Sequence, residues 1–156
     1  MRFAAEVLAP AITAGDVRNP GHGKIGLRDT AAMPSEEERK RVALTYCRRV
    51  SEGEVEALVA LFAPAATAED PVGSGPVTGH AALREFYEEM IGRFGSEIEP
   101  GVARAAQDGT SVALPITVRA QLDGQAREIA AVDVFEIDEA GKIARMRAYW
   151  GTSDVT

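Results

Sequence analysis

The chain has 156 residues, of which 46% are hydrophobic and 26% charged, a composition that suits one globular domain with a real core. Its formal net charge of −7 argues against nucleic-acid or anionic-membrane partners, because both require basic patches. Cys47 is the single cysteine, which excludes an intrachain disulfide and a thiolate metal cage, so we expect a cytoplasmic protein. No stretch approaches the roughly 20 apolar residues that span a bilayer.

Residues 1–33 differ in pattern from the rest of the chain. Gly15-Asp16, Asn19-Pro20-Gly21 and Gly23 interrupt every periodic pattern there. We predict a flexible N-terminal extension, although an overlong start-site assignment or a cloning remnant would look the same. The folded domain is expected over residues 34–156.

The first predicted helix begins at Ser35, which forms a capping box with Glu38 in which each side chain satisfies a free backbone donor. The helix should run to about Val50. Val42, Tyr46 and Val50 recur every four residues, so the tyrosine ring points with the apolar stripe toward the core.

Two further helices are predicted. A short one covers residues 54–62 and ends before Pro64. The third runs from about residue 80 to residue 93, with Thr78 as its cap. Its apolar face is formed by Leu83, Phe86, Tyr87, Met90 and Ile91. Helices one and two should form a hairpin.

Strands account for most of the remaining chain. A short strand through Thr67 and Glu69 should end at Asp70-Pro71, because the residue before a proline is driven out of the helical region. After about residue 97, alternating apolar runs are separated by turns that include Asp108-Gly109 and Asp123-Gly124, which predicts hairpins. Four consecutive antiparallel strands are expected near residues 97–106, 111–122, 126–137 and 142–150. Covered on one face by the three helices, they make an α+β fold.

Asp133 lies within the apolar run of residues 129–135. An unpaired ionised carboxylate there would cost several kcal/mol, so the side chain is either exposed at a sheet edge or held neutral with a shifted pKa. A neutral buried acid donates a hydrogen bond, as groups that stabilise oxyanions do. Side-chain alternation places it with Ile129, Ala131, Phe135 and Ile137. Neighbouring strands present matching faces, formed by Val112, Leu114, Ile116, Val118 and Leu122 and by Met146, Ala148 and Trp150. If these faces meet, they line an apolar cavity that contains a carboxyl group.

Several segments, in this order, resemble the Δ5-3-ketosteroid isomerases of the nuclear-transport-factor-two-like, SnoaL-like superfamily. They are Tyr46, Ala-Glu-Asp-Pro-Val-Gly at 68–73, Val-Asp-Val-Phe at 132–135 and Met-Arg-Ala-Tyr-Trp at 146–150. The resemblance covers roughly residues 35–152. It implies a cone-shaped curved antiparallel β-sheet packed against three helices, which encloses a deep apolar pocket, and a homodimer formed through the sheets.

The resemblance also implies a mechanism. Asp70 would be the general base, while Tyr46 and a protonated Asp133 would donate hydrogen bonds to the ketone oxygen of a hydrophobic 3-oxo steroid. The expected reaction shifts a β,γ double bond into conjugation and uses neither a metal nor an organic cofactor. The further substrate contacts that we predict are Tyr87, Trp150, Met146, Ile116, Leu114 and Phe62. Tyr87 is also expected to hydrogen-bond Tyr46, and Phe62 stands where relatives carry another tyrosine.

Other interpretations remain open at this point. Considered alone, each of the three residues also has a structural interpretation. Tyr46 could be a core tyrosine, Asp70 a turn residue before a proline, and Asp133 a structural acid. A polyketide cyclase would use a similar aspartate base on the same fold. A noncatalytic protein that binds a hydrophobic ligand would need no such pair of carboxyl groups.

Overall fold

The computed structural model describes residues 32–156. The predicted N-terminal extension falls almost entirely outside these residues and stays a prediction. The helices are α1 (Glu36–Glu52), α2 (Val55–Val59) and α3 (His80–Phe94), and a 3-10 turn follows at Thr152–Asp154. The strands are β1 (Phe62–Glu69), β2 (Val77–Thr78), β3 (Glu97–Pro100), β4 (Arg104–Ala105), β5 (Ser111–Leu122), β6 (Gln125–Ile137) and β7 (Ile143–Tyr149). None of the helices within residues 32–156 combines the length and the apolar composition of a transmembrane span.

The strands form one seven-stranded mixed sheet with the order β2-β1-β7-β6-β5-β3, and β4 also pairs with β5. The α+β class is confirmed. The expectation of a purely antiparallel sheet is wrong in one place, because β1 runs parallel to β7. A strand's partner depends on residues distant in sequence, and the short strand before Asp70 carries no local signal for its partner.

The helical prediction for residues 54–62 was too long. Helix α2 ends at Val59, and Phe62 begins β1. Pairing with β7 outweighs the local helical pattern there, and Pro64, which lacks an N–H group, lies where the β1–β7 register shifts between Phe62 and Thr67.

The predicted cap of the third helix is also wrong. Thr78 belongs to β2, where it pairs with Thr67, and the N-cap of α3 is Gly79 without a side-chain hydrogen bond. In addition, the single strand predicted over 97–106 is divided into β3 and β4, with Gly101 at the interruption donating to the Pro115 carbonyl at 2.8 Å.

Helix α1 begins as predicted. The Ser35 hydroxyl accepts from the Glu38 amide, and the Glu38 carboxylate accepts from the Ser35 amide at 2.8 Å. Helix α1 packs on β3, β4 and β5. Its buried face includes Tyr46 and also Arg39, whose guanidinium donates to the carbonyl of Ala106 at 3.3 Å. The apolar pattern did not indicate Arg39, because a long cationic side chain can lie in a core only when backbone acceptors surround its head.

The alternation predicted for the long strands is confirmed. Asp133 in β6 lies opposite Leu114 in β5 and Ala148 in β7, so it occupies the middle of the sheet and not an edge. The inward side chains of β6 are all buried, and they are Ile129, Ala131, Asp133, Phe135 and Ile137. This face packs with the helices into one hydrophobic core. Of the two interpretations of Asp133, the exposed one is excluded.

Candidate active site

Two buried tyrosines lie side by side at the centre of the site. Tyr46 comes from α1 and Tyr87 from α3, and the Tyr87 hydroxyl donates to the Tyr46 hydroxyl at 3.2 Å. Phe62 and Phe135 meet the Tyr46 ring edge to face, with centroid distances of 6.2 and 5.1 Å. The Tyr46 hydroxyl thus accepts one bond and has its own proton free to donate elsewhere.

Burial controls the ionisation of Tyr46. Its side chain is 2% exposed, and desolvation raises its pKa well above the ordinary value, with further contributions from Tyr87, Asp133 and Asp70. Because burial disfavours the charged phenolate and the charge of ionised Asp70 opposes it further, Tyr46 remains a neutral hydrogen-bond donor.

Asp133 is buried without a partner. Its side chain is 2% exposed, it forms no hydrogen bond with residues 32–156, and Oδ1 is fully enclosed. Desolvation raises its pKa well above the usual value for an aspartate, and the charge of Asp70 raises it further. A carboxyl group in this environment keeps its proton and is therefore a second neutral donor.

Asp70 has a different environment. It follows the last residue of β1, is half-buried, and accepts a hydrogen bond from Trp150 Nε1 to Oδ1 at 2.7 Å. Burial raises its pKa, whereas the Trp150 bond opposes that rise by stabilising the ionised form. Asp70 is thus the carboxyl of the pair that is better able to ionise and to act as a base.

The main chain around Asp70 is held on both sides. The parallel β1–β7 pairing places Glu69 opposite Arg147, which brings Asp70 level with Ala148, the residue opposite Asp133. After Asp70, the amide of Val72 donates to the Ala148 carbonyl at 2.8 Å. Asp70 and Asp133 therefore lie level with each other on either side of β7, although 63 positions separate them in the sequence.

A cavity of about 280 Å³ opens beside Asp70, between α3 and the sheet. Its lining on the helix side consists of Phe86, Glu89, Met90 and Phe94. Its lining on the sheet side consists of Val118, Ala120, Leu122 and Ile129. Asp70, Ser96 and Trp150 complete the wall. The surface is mostly apolar, which suits a hydrophobic ligand of moderate size.

The structure places the predicted residues at different depths. Asp70 and Trp150 line the cavity, whereas Tyr46 and Asp133 are buried and are not among its lining residues. The other predicted substrate contacts do not line it, because they are buried in the core: Tyr87, Met146, Ile116, Leu114 and Phe62. Strand and helix periodicity identify the inward face of an element but not how far along that face the core ends and the cavity begins.

The cavity also includes residues that were not proposed as contacts. Phe86, Met90, Val118, Leu122 and Ile129 lay on the predicted apolar faces, and that signal could have identified them. Ala120 lies between Val118 and Leu122 on the same face of β5, so the same signal applied to it, whereas Ser96 and Phe94 carry no comparable sequence signal. Among residues 32–156, no three side chains of His, Cys, Asp or Glu are placed to hold a metal ion together.

Residues 43–146 match the SnoaL-like domain family. The chain therefore belongs to the SnoaL-like family, in agreement with a fold of three helices on a mixed sheet.

Two sequence relatives are enzymes of different kinds. The chain is 44% identical over 126 residues to epoxide hydrolase LasB of Streptomyces lasalocidi, a match that covers 78% of this chain and 44% of LasB. The chain thus spans less than half the length of that relative. It is 36% identical over 118 residues to a steroid Delta-isomerase of Nocardioides simplex, covering 76% of this chain and 94% of the isomerase.

Solved structures show the same fold. The epoxide hydrolase/cyclase-like enzyme SalBIII, described as having a role in pyran ring formation in the polyether salinomycin, superposes with a TM-score of 0.74 at 39% identity, covering 78% of this chain and 96% of SalBIII. RV0760c of Mycobacterium tuberculosis, in complex with estradiol-17beta-hemisuccinate, gives a TM-score of 0.70 at 21% identity. The match covers 76% of this chain and 98% of RV0760c. The second similarity concerns the fold alone.

Proposed function

We propose that this protein is a cofactor-independent isomerase that converts a 3-oxo-Δ5-steroid to the conjugated 3-oxo-Δ4-steroid. One observation carries the proposal: Asp70, a carboxyl able to ionise, lies level with Asp133 across β7, and burial keeps both Asp133 and Tyr46 protonated. This is one base together with two neutral donors. The 36% identity to a steroid Delta-isomerase over nearly its whole length supports the same assignment.

The reaction needs each of these groups. Asp70 removes a proton from C4, between the ketone and the double bond, and the electron pair moves onto the ketone oxygen to form a dienolate. Tyr46 and Asp133 donate hydrogen bonds to that oxygen. The protonated Asp70 then returns the proton to C6, so the double bond moves into conjugation and the enzyme regains its starting state.

The surroundings favour this chemistry. Charge that develops on the ketone oxygen meets donors that are already oriented in a desolvated site, and removal of one such donor commonly costs about 10²-fold or more in rate. The Tyr87 hydroxyl bonded to Tyr46 polarises it further and makes it a better donor.

A second candidate is an epoxide-opening cyclase, which the 44% identity to LasB and the 39% identity to SalBIII favour. In that reaction Asp70 would deprotonate a substrate hydroxyl, and Asp133 or Tyr46 would protonate the epoxide oxygen. The two candidate reactions require different roles of Asp133. An isomerase needs only its hydrogen bond, whereas a cyclase with Asp133 as its acid needs transfer of its proton.

The test follows directly from the proposed product. Purified protein is incubated with 5-androstene-3,17-dione, and the absorbance of the conjugated enone is followed. We expect turnover by the wild type and none by Asp70→Asn. An exposed aspartate in the β5–β6 turn offers a matched control, Asp123→Asn, which should keep full activity. Absence of turnover by folded wild-type protein would defeat the isomerase proposal.

Asp133→Asn separates the two candidates. The amide still donates a hydrogen bond but has no proton to transfer under these conditions. A measurable residual isomerase rate is expected, and complete loss of an epoxide-opening activity is expected if the protein is a cyclase whose acid is Asp133. A homodimer and a cytoplasmic location remain predictions, and sedimentation of the purified protein tests the first.

A further inference from the structure

Ser96 is a buried polar residue in the apolar cavity that the proposed reaction does not use. Its side chain is 8% exposed and lines the cavity. Its hydroxyl forms no hydrogen bond with any residue of 32–156 that the structure describes. Because the side chain lies in the cavity wall and its hydroxyl has no protein partner there, the partner available to it is a ligand atom in the cavity.

The position of Ser96 separates it from the catalytic groups. Asp133 lies opposite Leu114 in β5, whereas β3 pairs through Glu97 with Arg119, which places Ser96 beside Ala120. Ala120 follows Leu114 by six positions, which corresponds to at most about 20 Å along the strand at about 3.3 Å per residue. Ser96 therefore lies toward the end of the cavity remote from Tyr46 and Asp133.

The wall between the two ends is apolar. On the sheet it is formed by Val118 and Ile129, and on the helix by Phe86 and Met90. Besides Asp70 and Ser96, the wall includes the polar residue Glu89, whose side chain is 76% exposed, so Glu89 lies at the rim. Under the proposed function, a ligand that fits this arrangement has an apolar body with one oxygen at each end.

We propose that Ser96 is a specificity-determining residue that hydrogen-bonds an oxygen substituent at the C17 end of the steroid. This inference rests on the proposed function and narrows its substrate class to 3-oxo steroids that carry a hydroxyl or ketone at or beyond C17. Ser96 does not touch the reacting atoms, so it acts on binding and not on the chemical step.

The test compares binding of two phenolic steroids, estradiol and its 17-deoxy analogue, which differ only in the distal hydroxyl. Calorimetry or fluorescence titration gives the two dissociation constants for wild type, Ser96→Ala and Ser96→Thr. Ser96→Ala should weaken estradiol binding about fivefold, the typical worth of one neutral hydrogen bond, and leave the analogue within twofold. Ser96→Thr keeps a hydroxyl and should retain most of the preference for estradiol.

Each outcome decides the proposal. Equal weakening of both phenols, or no weakening of estradiol, would overturn it. In steady-state assays Ser96→Ala should raise KM for 5-androstene-3,17-dione and leave kcat unchanged, and a loss confined to kcat would also overturn it. If wild type binds both phenols but isomerises no steroid, the isomerase proposal fails while the binding ratio still decides the role of Ser96. If folded wild type binds neither phenol, both proposals fall.

Discussion

The Tyr87 hydroxyl donates to the Tyr46 hydroxyl at 3.2 Å, and both rings are almost wholly buried. This bond links α3 to α1 at the centre of the candidate site. It orients the oxygen of Tyr46 and leaves the Tyr46 proton available for a substrate. A buried hydroxyl pair of this kind couples structure to chemistry, because removal of either partner changes how well the other can donate.

Tyr87→Phe should lower kcat severalfold, and Tyr46→Phe should lower it by about 10²-fold or more, because only Tyr46 is proposed to contact the substrate oxygen. Tyr87→Phe should also cost about 1 kcal/mol in unfolding free energy, measured in urea, through the lost hydrogen bond. In the double variant, Tyr87→Phe should have almost no additional effect on kcat. If Tyr87→Phe lowers kcat as much in the Tyr46→Phe variant as in the wild type, Tyr87 acts independently of Tyr46.

Asp70→Asn should abolish isomerisation, because an amide cannot accept and return a proton at the substrate carbon. The substitution keeps the shape of the side chain and an oxygen for the Trp150 N–H bond. Binding of a planar phenolic steroid, followed by fluorescence, should therefore stay within a few fold of the wild type. Comparable turnover in Asp70→Asn would remove Asp70 from the role of base.

Trp150→Phe should shift the acid limb of the kcat/KM profile to higher pH. The indole N–H stabilises ionised Asp70 and so lowers its pKa against the effect of burial. Without that bond the pKa of Asp70 rises, and the base ionises only at higher pH. The phenyl ring preserves an aromatic wall beside the cavity. The measurement is kcat/KM against pH for both proteins, and an acid limb that stays in place or moves to lower pH would contradict this role.

The contribution of Asp133 to the free energy of unfolding should decrease as pH rises. Its pKa is raised in the folded protein, whereas in the unfolded chain it ionises near the ordinary value of about 3.9. Above that pH the folded state retains a proton that the unfolded state releases. Stability relative to Asp133→Asn should therefore fall by up to about 1.4 kcal/mol per pH unit until the folded pKa is reached.

Urea unfolding of wild type and Asp133→Asn at several pH values between 4 and 8 measures this difference. The comparison between the two proteins cancels contributions from Asp70 and from the exposed carboxylates. The prediction is contradicted if the two profiles of unfolding free energy against pH are parallel, or if the wild type becomes more stable relative to the variant as pH rises. Either result would mean that Asp133 is ionised in the folded protein and is not a neutral donor.

The sequence by itself determined the local elements and the order of the functional groups. The Ser35–Glu38 box begins α1, and alternation in β6 places Asp133 on the inward face, because capping and periodicity act over a few neighbouring residues. The ordered motifs around Tyr46, Asp70 and Asp133 likewise indicate the family from the sequence alone.

Only the tertiary structure decided how these elements meet. The parallel pairing of β1 with β7 brings Asp70 level with Asp133, and the Trp150–Asp70 bond joins residues that are 80 positions apart. Phe62 and Leu114 lie in the core and not in the cavity wall, whereas Ser96 lies in the wall. Where along each element the core ends and the cavity begins was visible only in the tertiary structure. The physical reason is that strand partners, register and packing depth depend on long-range contacts, which no local pattern of residues encodes.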